Sequence, residues 1–133
     1  MSTTPGPDTP LLRETYARYL RACNERDWDR VREHLAPRVL VNEVARTPEE
    51  YVEDLKALVD VFPDYRWRLH RCLVDGDWVA VHLRDHGTRH RPFHGSPGDG
   101  SAVSTDEFAM YRFDDAGLIA EVEVTADDLR LTL

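Results

Sequence analysis

The stretch "YRWRLHRCLVDGDWVAVHLRDHG", Tyr65 to Gly87, decides the fold. Val79, Val81 and Leu83 alternate with Ala80, His82 and Arg84, the two-residue period of a half-buried strand. Asp75-Gly76-Asp77 interrupts the run with a tight-turn signal, so the stretch reads as a β-hairpin. Upstream of it the apolar period is that of a helix; downstream it stays at two.

Upstream, "PLLRETYARYLRACNERDWDRVREHLAP" (10–37) carries Leu12, Tyr16, Tyr19, Leu20 and Cys23 on one helical stripe. After "NERD", Trp28, Val31 and Leu35 stripe a second helix that Pro37 stops. Two helices of about 11–22 and 27–35 therefore form an αα-hairpin. "RVLVNEV" (38–44) reads as a short strand. Thr47-Pro48-Glu49-Glu50 then opens a third helix, with a Thr cap, Pro at the first position and acids in the first turn. Pro63-Asp64 closes it.

Downstream, "AVSTDEFAMYRFDDAGLIAEVEVTA" (102–126) is a second hairpin turned at Asp114-Asp115-Ala116-Gly117, and "HRPFHGSPGDGS" (90–101) is the loop between the hairpins. Three helices followed by an antiparallel meander make an α+β fold. A strongly curved sheet wrapped around three N-terminal helices would form a cone with one open mouth. The first nine residues, rich in Ser, Thr and Pro and without a basic or long apolar run, read as a disordered lead-in rather than a signal peptide. Residues 10–133 are expected to form a single domain.

Net charge is −8, which argues against nucleic-acid backbones and anionic membranes. Nothing approaches the ~18 consecutive apolar residues of a membrane span. Two cysteines, Cys23 and Cys72, give no disulfide framework, so a reducing cytoplasm is the expected compartment.

His82, His86, His90 and His94 recur at every fourth position. Such spacing stacks side chains only on a helix, which Gly87, Pro92 and Gly95 forbid. On a strand, residues four apart lie about 13 Å apart, too far to share a metal. No metal and no cofactor are expected, since a phosphate-cradling glycine loop is also absent. His82 and His86 take the outer parity; His94, in the loop, is a candidate to reach over the mouth. The parity of Val79, Val81 and Leu83 carries on to Asp85, a carboxylate on an apolar face.

The blocks "YARYLRACNERDWDRVREHLAPRVLV", "TPEEYVEDLKALVDVFPDYRW", "LVDGDWVAVHLRDHGTRHRPFHGSPGDG" and "FAMYRFDDAGLIAEVEV" resemble the SnoaL-like polyketide cyclase family. That family shares the nuclear-transport-factor-2-like superfold with ketosteroid isomerase. The resemblance spans about residues 11–130 and implies a conical barrel with a deep apolar pocket. It also implies intramolecular aldol ring closure by an Asp on the last strand beside a His on the strand before it. Here those positions fall on Val124 and Ala109, so that pair is not carried over. The family's pattern points Val103, Thr105, Glu107, Ala109 and Tyr111 inward, with Val122 and Val124, while Glu121 and Glu123 point out.

Asp85, Glu107 and His94 are therefore the candidate catalytic residues. Two carboxyls in an apolar cavity have pKa values pushed up and apart, so one can serve as base and the other as acid. Tyr16, Tyr19, Cys23, Asn42, Tyr51, Asp54, Ala109, Tyr111, Val122 and Val124 are the candidate substrate contacts. The expected function is a cofactor-independent acid/base cyclase or isomerase acting on a mostly apolar polyketide-like intermediate. A non-catalytic ligand-binding or dimerisation domain, and a cofactor-free oxygenase or hydrolase, are the alternatives. A homodimer through the outer sheet face is expected, with Trp67, Trp78, Phe108 and Met110 supplying apolar area.

Overall fold

The computed structural model describes residues 9–90 and 98–126. Helix α1 (Thr9–Glu25) buries the expected stripe of Leu12, Tyr16, Tyr19, Leu20 and Cys23. It begins at Thr9, inside the segment expected to lead in, and runs longer than the sequence suggested. Arg26 ends it with a left-handed φ of 61°. Helix α2 (Trp28–Glu33) is capped by Asp27, which accepts from Arg30 N. Helix α3 (Pro48–Val61) starts on a full capping box: Thr47 Oγ1 accepts from Glu50 N at 3.1 Å, and Glu50 Oε1 accepts from Thr47 N at 2.9 Å.

The strands are β1 (Leu35–Val41), β2 (Val44–Arg46), β3 (Arg66–Asp75), β4 (Trp78–Thr88), β5 (Ala102–Phe113) and β6 (Ile119–Ala126). They form one curved, unclosed sheet in the order β2-β1-β6-β5-β4-β3. Three local expectations are corrected. Leu35 and Pro37 belong to β1, not to the end of a helix. Proline fits there because the β1–β6 register breaks between Leu35 and Leu40, where a missing N–H costs no ladder bond. Asn42 and Glu43 form a two-residue turn into β2, which the sequence reading merged into one strand. The sheet is also not purely antiparallel, because β1 pairs with β6 in parallel.

The helices pack on one face of the sheet. Leu83, Val103, Ala109, Tyr111 and Val122 point into this core as their parity requires. The fourth correction is Trp67, expected on the outer face but buried in the core. Beside the turn, β3 pairs with β4 as Leu73↔Ala80 and Arg71↔His82; beyond it, as Leu69↔Leu83 and Trp67↔Asp85. The pairing slips by one residue at His70. A one-residue slip moves every later side chain to the opposite face. Unshifted, Trp67 would oppose His86 and face outward; the bulge turns it inward.

Candidate active site

Between α1, α3 and the inner face of the sheet lies a cavity of about 140 Å³. Tyr19, Leu20 and Cys23 enter it from α1, and Tyr51, Asp54 and Leu55 from α3. The sheet contributes Val41, Trp67, Leu83, Glu107, Tyr111, Val122 and Val124. Most of this wall is apolar, so any charge inside is weakly solvated.

Glu107 is the carboxyl on the sheet wall. It lies opposite Leu83 in the β4–β5 ladder, one inward position from Asp85, which pairs with Thr105. Asp85 itself is 0% exposed and does not line the cavity. Tyr65 donates its hydroxyl to Asp85 Oδ2 at 3.0 Å. Burial raises the pKa of Asp85, while hydrogen bonding to Glu107 and from Tyr65 lowers it in part. Arg84 is spent on Asp106 at 3.8 Å, and Arg89 on Asp99 and Ser101. Neither of these ion pairs reaches Asp85. Glu107, half-buried, faces the cavity, and Asp85 lies fully buried one inward position further along the sheet.

A tyrosine cluster forms the opposite wall. Tyr19 Oη and Tyr51 Oη lie 2.7 Å apart. Two hydroxyls sharing one hydrogen bond use one of their two protons and leave the other free to donate. Tyr111 packs against Tyr16 and Tyr19 with ring centroids at 5.0 and 5.7 Å. Burial raises the pKa of Tyr16, Tyr19, Tyr51 and Tyr111, so all four stay protonated. Burial likewise pushes the Cys23 thiol up to about 12, which keeps it from nucleophilic work.

Of the other candidates, Asp54 sits at the mouth, 60% exposed, in an ion pair with Arg46 at 3.3 Å. Tyr16 is fully buried behind the cavity wall. Ala109 points inward without touching the cavity. Asn42 is a correction: it faces away and ties the end of β1 to β6, accepting from Val124 N at 2.8 Å and donating to Val124 O at 3.3 Å. His94 lies outside the described residues. His82 and His86 take the outer parity, and His82 pairs with Asp106 at 2.8 Å while stacking on Phe108. The sequence reading missed Tyr65 and Trp67, because the bulge that turns them inward leaves no mark in the alternation pattern.

An open curved sheet with helices packed on one face around a small apolar cavity is an α+β fold of the cone type. The family model of the SnoaL-like polyketide cyclases matches residues 13–132, and the chain belongs to that family. Among solved structures, the fold is similar to a SnoaL-like polyketide cyclase from Agrobacterium tumefaciens strain C58, with TM-score 0.84 and 22% identity over 94% of this chain and 96% of that one. It is similar to TsrD from Streptomyces laurentii, with TM-score 0.84 and 23% identity over 94% of each chain. IdmH from Streptomyces antibioticus follows at TM-score 0.80 and 24% identity, over 90% of this chain and 94% of that one. At these identities the likeness is one of fold. No curated protein sequence matches the chain. The two positions at which the family resemblance implied an acid/base pair, Ala109 and Val124, are direct partners in the β5–β6 ladder and carry no polar group.

Proposed function

We propose that this protein is a cofactor-independent acid/base enzyme of the cyclase or isomerase type, with Glu107 as the proton-transferring group. The observation that carries this reading is the placement of Glu107. It is a carboxyl on the wall of an apolar cavity, two residues along the same strand and on the same face as Ala109, and one inward position from a second carboxyl. The acid/base function thus has a carboxyl available on the strand that neighbours the lost position.

The chemistry follows from the two walls. A carbonyl oxygen of the substrate accepts the free hydroxyl proton of the Tyr19–Tyr51 pair. Glu107 removes the proton from the carbon next to that carbonyl, and the electron pair moves onto the oxygen. The resulting enolate then attacks a second carbonyl of the same molecule, forming a carbon–carbon bond, and Glu107 returns its proton to the new alkoxide. In the isomerase variant the proton returns to another carbon. An apolar wall keeps water from competing for both proton and enolate. A cavity of about 140 Å³ is close to the ~150 Å³ that accommodates benzene, so one ring of a larger substrate enters while the rest stays at the mouth.

The test needs no knowledge of the product. In deuterium oxide, wild-type chain is expected to exchange the α-hydrogens of cyclic 1,3-diketones and aryl ketones faster than buffer does, as followed by proton NMR. Glu107→Gln should lose about 10²–10⁴ of that rate with its fold retained. Equal exchange by both chains would remove Glu107 from the chemistry. No exchange by wild type across the panel would support the non-catalytic binding domain instead.

A further inference from the structure

The outer face of the sheet carries a chemistry unlike that of the cavity. The chain has a net charge of −8, yet the outward positions at one end of β3 and β4 are basic. The ladder sets them in rows. Arg66 lies opposite His86, which lies opposite Ser104; in the next row Arg68 lies opposite Arg84, which lies opposite Asp106. One row on, Arg71 lies opposite His82, with His70 at the bulge beside them. Arg68, His70, Arg84, His86 and Ser104 line one depression on this face. Asp85 also borders it, but carries its carboxyl on the inner parity, where Tyr65 donates to it.

The electrostatics of this depression suit an anion. Like charges directly opposite on neighbouring strands destabilise a sheet, and Arg68 and Arg84 are such a pair. The nearby acid is Asp106, 3.8 Å from Arg84 and already held by His82 at 2.8 Å. Among the described residues no ion pair holds Arg66, Arg68 or Arg71. Arg84 is the first cause that lowers the pKa of His70, an exposed ring, so the local potential is positive. His86 Nε2 is buried without a hydrogen-bond partner, which costs free energy unless a ligand engages it. The acids Glu121 and Glu123 lie level with Arg112 and Met110, at least four residues of strand beyond Asp106, or about 13 Å.

We propose that this depression binds the phosphate group of a small molecule, with Arg68 and Arg84 donating from opposite sides and His86 Nε2–H and Ser104 Oγ–H completing the donors. Two guanidinium forks and a hydroxyl suit a tetrahedral dianion better than a planar carboxylate of single charge. The net charge of −8 opposes an extended polyanion, so the ligand is small. The site lies on the opposite face of the sheet from the cavity and stands apart from the reaction proposed above.

The experiment titrates the full chain with inorganic phosphate and with phenyl phosphate at constant ionic strength, with acetate as the control. NMR of the arginine Nε–H and histidine ring signals and the thermal midpoint are the readouts. Arg84 and His86 signals should shift to saturation with either phosphate and stay in place with acetate. Tighter phenyl phosphate assigns the site to an organic ester, and equal binding assigns it to free phosphate. Arg68→Gln and Arg84→Gln should each weaken binding about tenfold, the loss of one charge-assisted hydrogen bond. Arg112→Gln, at the far end of the same face, should leave it unchanged. Without phosphate, Arg68→Gln should melt at or above wild type, because one of two opposed charges is gone; with phosphate, wild type should gain more than the variant. Shifts that acetate reproduces, or that Arg112→Gln weakens as much as Arg68→Gln does, would reduce the site to diffuse attraction and overturn the proposal. A wild-type chain whose signals never saturate overturns it without any variant. So does an Arg68→Gln chain that melts below wild type by the same margin in both buffers, which would make Arg68 structural. Phosphate that lowers the mass seen by light scattering, with all variants binding alike, would mean that the basic rows face a second copy, and the proposal falls.

Discussion

A buried carboxyl that is raised in pKa costs the folded state stability whenever it must ionise. Asp85 is such a group, shifted up first by burial. The sign follows from linkage: a group raised on folding contributes fully below its unfolded value, about 3.9 for Asp, and loses that contribution as pH rises through its folded value. Asp85→Asn removes the loss. Its thermal midpoint should therefore lie above that of wild type at pH 7.5, and the gap should close on approach to pH 4. A gap that is constant with pH would mean that Asp85 does not change its protonation in this window. Asp64 has the opposite sign. Its carboxylate accepts from Thr88 Oγ1 and Thr88 N, both at 2.8 Å, and the hydroxyl contact is the first cause of its lowered pKa. The stability it contributes is present above the unfolded value and lost as pH falls through the folded one. Asp85 was readable as an inward acid from alternation, and Glu107 from alternation together with the family's pattern. Asn42 was not, because side-chain direction at a turn depends on φ, which composition does not report.

At the scale of the element, the hairpin joining β1 and β2 turns through Asn42 and Glu43 with φ values of 48° and 71°. This is the two-residue turn for which Asn-Gly is the favoured sequence. Glutamate pays a steric penalty there that glycine does not, so Glu43→Gly should stabilise the fold by about 0.5–1 kcal/mol. A thermal midpoint a few degrees higher, with the ketone exchange rate unchanged, is the expected outcome; a lower midpoint would show that the Glu43 side chain contributes more than its backbone costs. The same hairpin shows what the sequence could and could not reveal. Helical stripes, the Thr47-Pro48 helix start and the turns at Gly76 and Gly117 were explicit, and they set the α+β order. The β1–β2 turn lacked its glycine and passed for continuous strand. The bulge at His70 has no composition signature either, since Arg68, Leu69, His70 and Arg71 all suit an exposed strand. A pattern of period two records only that residues alternate, and a slipped ladder preserves alternation on both sides of the slip. The site was legible where the ladder is regular, on β4 and β5. It was hidden where the ladder slips, which is where Tyr65 and Trp67 enter.

For the whole molecule, the outer face of the sheet sets the remaining question. Leu73, Phe108 and Met110 are 63%, 54% and 45% exposed on it, and Leu73 and Met110 flank Ala80 in a single row across β3, β4 and β5. Trp67 contributes nothing to this surface, since the bulge takes it inside. The face is also polarised. Arg71 and Arg84 lie toward its β3 side, Arg84 being paired with Asp106, and Glu121 and Glu123 lie on β6, Glu121 being paired with Arg112 on β5. We propose that this face joins two copies of the chain. A two-fold axis running along the strands would lay the basic side of one copy over the acidic side of the other, with Phe108 and Met110 at the centre. An axis across the strands would set like charge on like charge. Apolar area at the centre and opposite charges at the edges are the composition of a self-complementary interface. Light scattering on the wild-type chain at micromolar concentration should return twice the chain mass. Phe108→Arg together with Met110→Glu should return the single mass while leaving the thermal transition cooperative. Because the charged edges are exposed, raising the salt concentration should weaken but not abolish the wild-type dimer. A wild-type monomer at that concentration would count against the proposal, and so would a dimer indifferent to both substitutions, which would place the contact on another surface.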